Sequence, residues 1–285
     1  MPFVTVRDLQ MYYEIRGEGP RLLVISGTVG DLRRSPTIFE MPIARDFTIL
    51  TYDQRGLGQT SRPDIPYTMA DYAEDANALL EVLGWDDCLV LGISFGGMVA
   101  QELALRRPDR VRRLVLACTS SGGAGGSSYP LHELAGFPVE DYARRFLSLS
   151  DTRQDAIWQA ANPDQFQVLL DQILAALRVG ADEPGRQIGS RRQMEARARH
   201  DTYDRLPALT MPVYICGGRY DGIAIPANLE AMQRQIPGAR LEFFEGGHLF
   251  FLQDPRAFEH IAAFLQGMPI EENHEGGDSL SRAPT

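Results

Sequence analysis

The chain has 285 residues, with 28 basic against 38 acidic side chains and a net charge of −10. It contains no lysine, so every basic residue is arginine. That excludes Schiff-base chemistry on a side-chain amine and a phosphate loop ending in Gly-Lys. The acidic balance argues against nucleic acid and against a polybasic membrane patch. With 44% hydrophobic and 23% charged residues the composition is that of an ordinary globular protein.

In chain order, Val4–Val6 and Met11–Ile15 are close enough for a hairpin, and Arg21–Ser26 reads as a buried strand ending at glycine. A helical segment is expected around Ile38–Ala44, a strand over Phe47–Tyr52 and a helix from Met69 to Gly84. Thr68 and Asp71 suit the start of that helix, the hydroxyl capping free amides and the carboxylate sitting in the positive first turn. Leu89–Ile93 is a strand, Phe95–Arg107 a helix stopped by Pro108, and Val111–Ala117 a strand. This alternation, with short connections, demands an α/β fold: a mostly parallel sheet with helices on both faces.

The rhythm breaks at Ser120–Ser128, a Gly/Ser run whose composition predicts a flexible hinge. Every pattern from Tyr129 to Arg205 is helical. Strands resume at Val213–Cys216 and Leu241–Phe244, with helices near Asn228–Gln235 and Arg256–Gln266. The expected organisation is therefore a core over residues 1–120 and 207–268, interrupted by a helical insertion over 121–206. A polar tail, 269–285, carries four acids against one arginine and is expected to be disordered. Cys88, Cys118 and Cys216 are far apart and form no C-x-x-C pair, which suits buried thiols in a reducing compartment. No signal peptide or spanning segment is visible, so a cytoplasmic protein is expected.

Gly92-Ile93-Ser94-Phe95-Gly96 matches G-x-S-x-G at the junction of a buried strand and an amphipathic helix. There a serine can sit on a tight turn with its hydroxyl above the sheet. Serine needs a base, and the chain offers five histidines. His274 lies in the tail, His132 and His200 in the insertion, and His260 inside the last helix. His248 alone follows a core strand, at the edge where loop residues reach over the sheet. A carboxylate must orient that imidazole. Asp221, after the preceding strand, is the first candidate, and Glu245, nearer in sequence, is its rival.

With these positions the chain resembles the α/β-hydrolase family, over nearly all of residues 1–267. Ser94, Asp221 and His248 follow that family's order, and Tyr52-Asp-Gln-Arg-Gly-Leu-Gly-Gln-Thr-Ser61 and Arg107-Pro-Asp-Arg-Val111 match it too. The resemblance implies an eight-stranded sheet, a helical cap, the catalytic triad Ser94–His248–Asp221 and no cofactor or metal. The family commonly has His-Gly-x-x-Gly after the third strand, where this chain has Ser26-Gly27-Thr28-Val29-Gly30. Enol-lactone hydrolases look similar in lacking that histidine. The resemblance still implies an oxyanion hole from the Thr28 and Phe95 amides. The first matching segment is mainly structural in the family, so Asp53 and Arg55 receive no catalytic role.

Ser94 separates the chain from branches with an aspartate nucleophile. The expected activity is hydrolysis of a small carboxylic ester or lactone, with a small molecule as partner and a homo-oligomer compatible with the sequence. The same triad also serves C–C or amide hydrolysis, lyase or oxygenase steps, and ligand receptors with vestigial hydrolysis. Within the insertion, Phe146, Trp158 and Met194 are assigned first to the cap's own core. The arginines Arg186, Arg191, Arg192, Arg197 and Arg199 are assigned to a solvated helix face rather than to a substrate carboxylate.

Overall fold

Eight strands form one sheet in the order β1-β2-β4-β3-β5-β6-β7-β8 in a computed structural model that describes residues 2–134 and 136–270. Strands β1 (Phe3–Val6) and β2 (Leu9–Arg16) make the expected hairpin, and β2 runs antiparallel to β4 (Thr48–Tyr52). All later pairings are parallel: β3 (Arg21–Ile25), β5 (Cys88–Ile93), β6 (Val111–Ala117), β7 (Val213–Gly218) and β8 (Arg240–Phe244). The central strands are largely apolar without alternation because both faces are covered, β6 carrying Arg112 and Arg113 only near its start.

One face packs against α1 (Met69–Val82), α2 (Phe95–Arg106) and α7 (Pro226–Gln235), and the other against α8 (Phe250–Gln253) and α9 (Arg256–Gln266). The start of α1 follows the expected capping: Thr68 Oγ1 accepts from the Asp71 amide, and the Asp71 carboxylate accepts from the Thr68 amide. Between β6 and β7 lie α3 (Val139–Ser150), α4 (Ala156–Ala161), α5 (Pro163–Arg178) and α6 (Arg186–Ala198). Trp158 packs with Leu147, Phe166 and Leu170 inside this helical unit. Phe146 and Met194 instead pack with Tyr142 and Ile223, beside the loop that carries Asp221.

Three expectations are corrected. Residues 38–45 form two short 3₁₀ turns, Ile38–Glu40 and Pro42–Arg45, because Pro42 interrupts any longer helix. The Gly/Ser run is packed rather than free: Ser120 and Ser121 are fully buried. Gln101 Nε2 donates to the Ser120 carbonyl, and Gly122 bridges to Asp201. Small residues here let the chain leave the sheet without bulk. The polar tail was placed from residue 269, yet Ile270 is buried against the α9 side of the sheet; residues 271–285 lie outside the described residues. No described helix is long and apolar enough to cross a membrane.

Candidate active site

Ser94 occupies the turn between β5 and α2 with φ 54° and ψ −117°, a left-handed conformation unusual for a residue with a side chain. Close packing holds it there. A Cβ on Gly96 would lie 2.0 Å from the Ile25 carbonyl oxygen, and one on Gly92 would lie 2.7 Å from Gly97 Cα. The two glycines of the motif thus let the helix start press against β3 and β5. The Ser94 amide donates to the Ala117 carbonyl at 2.9 Å, and Thr119 Oγ1 donates to the Ser94 carbonyl at 2.7 Å.

The structure brings Ser94, His248 and Asp221 together from three strand ends. His248 Nε2 lies 3.0 Å from Ser94 Oγ, and Nδ1 lies 2.8 Å from Asp221 Oδ2. The other oxygen, Asp221 Oδ1, accepts from the Ile223 and Ala224 amides at 2.7 and 2.9 Å. The acid side chain is thus fixed from two directions. A carboxylate at Nδ1 favours the tautomer protonated there and leaves Nε2 as acceptor for the serine proton. All three residues are buried, which strengthens the electrostatic interaction within the row.

Glu245 is not in this row; its exposed side chain lies between Arg153 and Arg219. His260 contacts Glu242, and His200 is buried elsewhere. Asp53 accepts from the Leu32 and Gln59 amides at 2.8 Å each, with burial pushing its pKa up to about 6. Arg55 pairs with Asp75 and Asp8. Both hold the loop after β4.

The segment Gly27–Val29 approaches Ser94 closely: a Cβ on Gly27 would lie 3.4 Å from Ser94 Cβ. Among the described residues neither the Thr28 nor the Phe95 amide donates to a protein acceptor. Phe95 opens α2, where the first amides lack intrahelical carbonyls. Thr28 Oγ1 is buried with no partner among the described residues. Such a pair of amides beside a serine is suited to a developing oxyanion.

Several supporting residues lay outside the sequence reading. Gln193 of α6 accepts from the Val29 amide at 2.8 Å, and Arg34 donates to the Val29 carbonyl at 2.8 Å. The end of α3 holds two site loops: the Gly222 amide donates to the Leu149 carbonyl at 3.0 Å, and the His248 amide donates to the Ser150 carbonyl. The arginine assignment also needs correction. Arg191 and Arg192 do lie on an outer face, pairing with Asp64 and Glu195. Arg186 and Arg197, however, are only 8% and 7% exposed, on the side of α6 turned to the core. Residues 186, 193 and 197 share one helical face by their spacings of seven and four. Their polarity masked that the face is buried.

Among the described residues no group of three or more His, Cys, Asp and Glu side chains is arranged to hold a metal ion. The three cysteines are free and buried.

The chain is 25% identical over 264 residues to 3-oxoadipate enol-lactonase 2 of Acinetobacter baylyi, covering 90% of this chain and 93% of the relative. Its fold is similar to the enol-lactonase from Burkholderia xenovorans, with a TM-score of 0.71, 22% identity and coverage of 93% and 97% of the two chains. It is similar also to a meta-cleavage product hydrolase from Pseudomonas fluorescens, with a TM-score of 0.76, 18% identity and the same coverage. The family model described as alpha/beta hydrolase fold matches residues 20–255. The chain belongs to the alpha/beta hydrolase fold family.

Proposed function

We propose that the protein is a serine hydrolase that cleaves a small carboxylic ester or lactone through an acyl-enzyme on Ser94. The observation that carries this reading is the continuous hydrogen-bonded row from Asp221 through His248 to Ser94. Ser94 Oγ attacks the substrate carbonyl as its proton passes to His248 Nε2. The Thr28 and Phe95 amides stabilise the oxyanion. His248 returns the proton to the leaving oxygen as the acyl–oxygen bond breaks. A water molecule then gives a proton to His248 and attacks the acyl carbon; collapse returns that proton to Ser94 and frees the acid. Asp221 keeps the ring oriented and stabilises the imidazolium.

The resemblance to an enol-lactonase supports a lactone or ester over other acyl substrates. The net charge of −10 supports a small molecule over nucleic acid. We place the reaction in the cytoplasm, with residues 121–206 as the cap over the site.

Turnover of 4-nitrophenyl esters and fluorophosphonate labelling test the reading. Ser94→Ala should lose labelling and lower kcat by at least about 10⁴-fold while remaining folded. Full turnover by folded Ser94→Ala would refute the nucleophile. Labelling without ester turnover, but with cleavage of β-diketones or amides, would move the same triad to C–C or amide hydrolysis. No labelling of the wild type would favour a non-catalytic ligand pocket.

A further inference from the structure

The two amides proposed for the oxyanion are held by different means. The Phe95 amide sits in the turn that opens α2, between a buried strand and a buried helix. The Thr28 amide belongs to the loop after β3. That loop is fixed at its ends, where Gln54 Nε2 donates to the Ser26 carbonyl at 2.8 Å and the Leu32 amide donates to Asp53 at 2.8 Å. Its middle is strained: Val29 has φ 51°, a left-handed value that a β-branched side chain strongly disfavours. Left to itself Val29 would turn to negative φ, rotating the Thr28–Val29 peptide and carrying the Thr28 amide out of line.

Two contacts oppose that turn. Gln193 Oε1 accepts from the Val29 amide, which holds the peptide on the Thr28 side, and Arg34 Nη1 donates to the Val29 carbonyl, which holds the peptide on the Gly30 side. Arg34 follows the same loop five residues later, so Gln193 is the anchor that comes from elsewhere in the chain. Its placement is rigid. Gln193 is fully buried, on a face of α6 seated against core loops along its length. One turn earlier, a Cβ on Gly189 would lie 1.8 Å from the Gly56 carbonyl oxygen, so a glycine lets α6 rest on the loop after β4. Two turns earlier, Arg186 pairs with Asp31 at 3.3 Å. Spacings of three and four put residues 186, 189 and 193 on that one face. Gln193 Nε2 is buried with no partner among the described residues. A carboxamide satisfied at one end is a poorer core group than an apolar side chain of its size, so the contribution of Gln193 lies in its bond to Val29.

We propose that Gln193 is a positioning residue for the reaction: through the Val29 amide it holds the loop after β3 in the strained conformation that aims the Thr28 amide at the oxyanion, so that the inserted helix α6 completes the oxyanion hole. The inference rests on the proposed hydrolysis at Ser94 and names what sets the geometry of its oxyanion hole. Gln193 acts through Val29, and the amide it aligns works on charge that develops in the transition state. Its loss therefore falls on kcat rather than on KM.

Gln193→Met keeps the volume and removes the acceptor. With 4-nitrophenyl acetate, kcat per active site counted by fluorophosphonate titration should fall about 10-fold at nearly constant KM. A trifluoromethyl ketone, whose hemiketal oxygen occupies the oxyanion hole, should bind about 10-fold more weakly. Gln193→Glu, which keeps an acceptor at the same reach, should recover most of both losses, and Arg191→Gln, on the exposed face of α6, should change neither. Unchanged kcat and ketone affinity in Gln193→Met, or an equal loss in Arg191→Gln, would overturn the proposal. A separate readout does not depend on turnover: hydrogen exchange at the Val29 amide should quicken about 10-fold in Gln193→Met. If the wild type hydrolyses no ester and binds no ketone, the hydrolytic reading fails and the oxyanion role with it, while quickened exchange would still show α6 holding the loop. Unchanged exchange would overturn the tie to Val29 even in an active esterase.

Discussion

His200 is 6% exposed just beyond α6, and neither ring nitrogen has a hydrogen-bond partner among the described residues. Burial pushes its pKa down from 6.5 to about 4. At pH 7.5 the ring is neutral in the folded and unfolded chain alike. As pH falls below 6.5, the unfolded chain binds the proton first, so stability present above that pH is lost progressively down to about 4. That lowering corresponds to about 3 kcal/mol in full, and about 2 kcal/mol is already lost at pH 5. Asp53 acts in the opposite sense. Burial raises its pKa from 3.8 to about 6, so the folded chain takes its proton first and gains stability as pH falls through that window. The opposing slopes flatten the wild-type profile, and a single substitution should expose them. Urea unfolding of wild type and His200→Gln at pH 7.5, 6 and 5, followed by tryptophan fluorescence, gives the difference. The variant should gain about 2 kcal/mol relative to wild type between pH 7.5 and 5. Parallel profiles would refute the buried neutral imidazole.

Three further substitutions probe the loops after β3 and β4. Thr28→Val keeps the side-chain shape and removes a buried hydroxyl that has no partner among the described residues; if it serves the proposed oxyanion hole, kcat should fall about tenfold or more at nearly constant KM. An unchanged kcat would reduce that hydroxyl to packing. Arg55→Met leaves the buried Asp75 carboxylate facing only Arg7, and should cost about 3–5 kcal/mol in chemical unfolding. Asp8→Asn, on the half-exposed partner of the same guanidinium, should cost less than about 1 kcal/mol; equal losses would contradict the asymmetry in burial.

The sheet was legible because the central strands are mostly apolar runs closed by glycine or a turn (β6 is apolar after Arg112 and Arg113), a local signal that needs no knowledge of its neighbours. The positions of Ser94, Asp221 and His248 were legible for a related reason: parallel strands end at one edge, so loops after successive strands must meet there. What stayed hidden depends on contacts distant in sequence. Nothing near Gln193 announces that it holds Val29, 164 residues away, and nothing near Arg186 announces Asp31, 155 residues away. A buried polar face on a helix has the same periodicity as a solvated one, so Arg186 and Arg197 were assigned to the outside. The Gly/Ser run misled by the same logic. Its composition describes a free chain, whereas Ser120 and Ser121 are buried against Gln101 and the segment around Asp201.

The last turn of α3 gives the inserted helices a second significance. The Leu149 and Ser150 carbonyls tether the Asp221 loop at Gly222 and the His248 loop at His248 itself, two elements encoded about 75 and 100 positions later. The insertion is therefore not an interchangeable module. Exchanging it for the equivalent segment of a relative, in order to graft a new specificity, would succeed only if the donor supplied those two carbonyls in register. A chimera cut after Ser150 keeps them and one cut before Val139 discards them, so the natural joint for recombination lies inside the inserted segment rather than at its border.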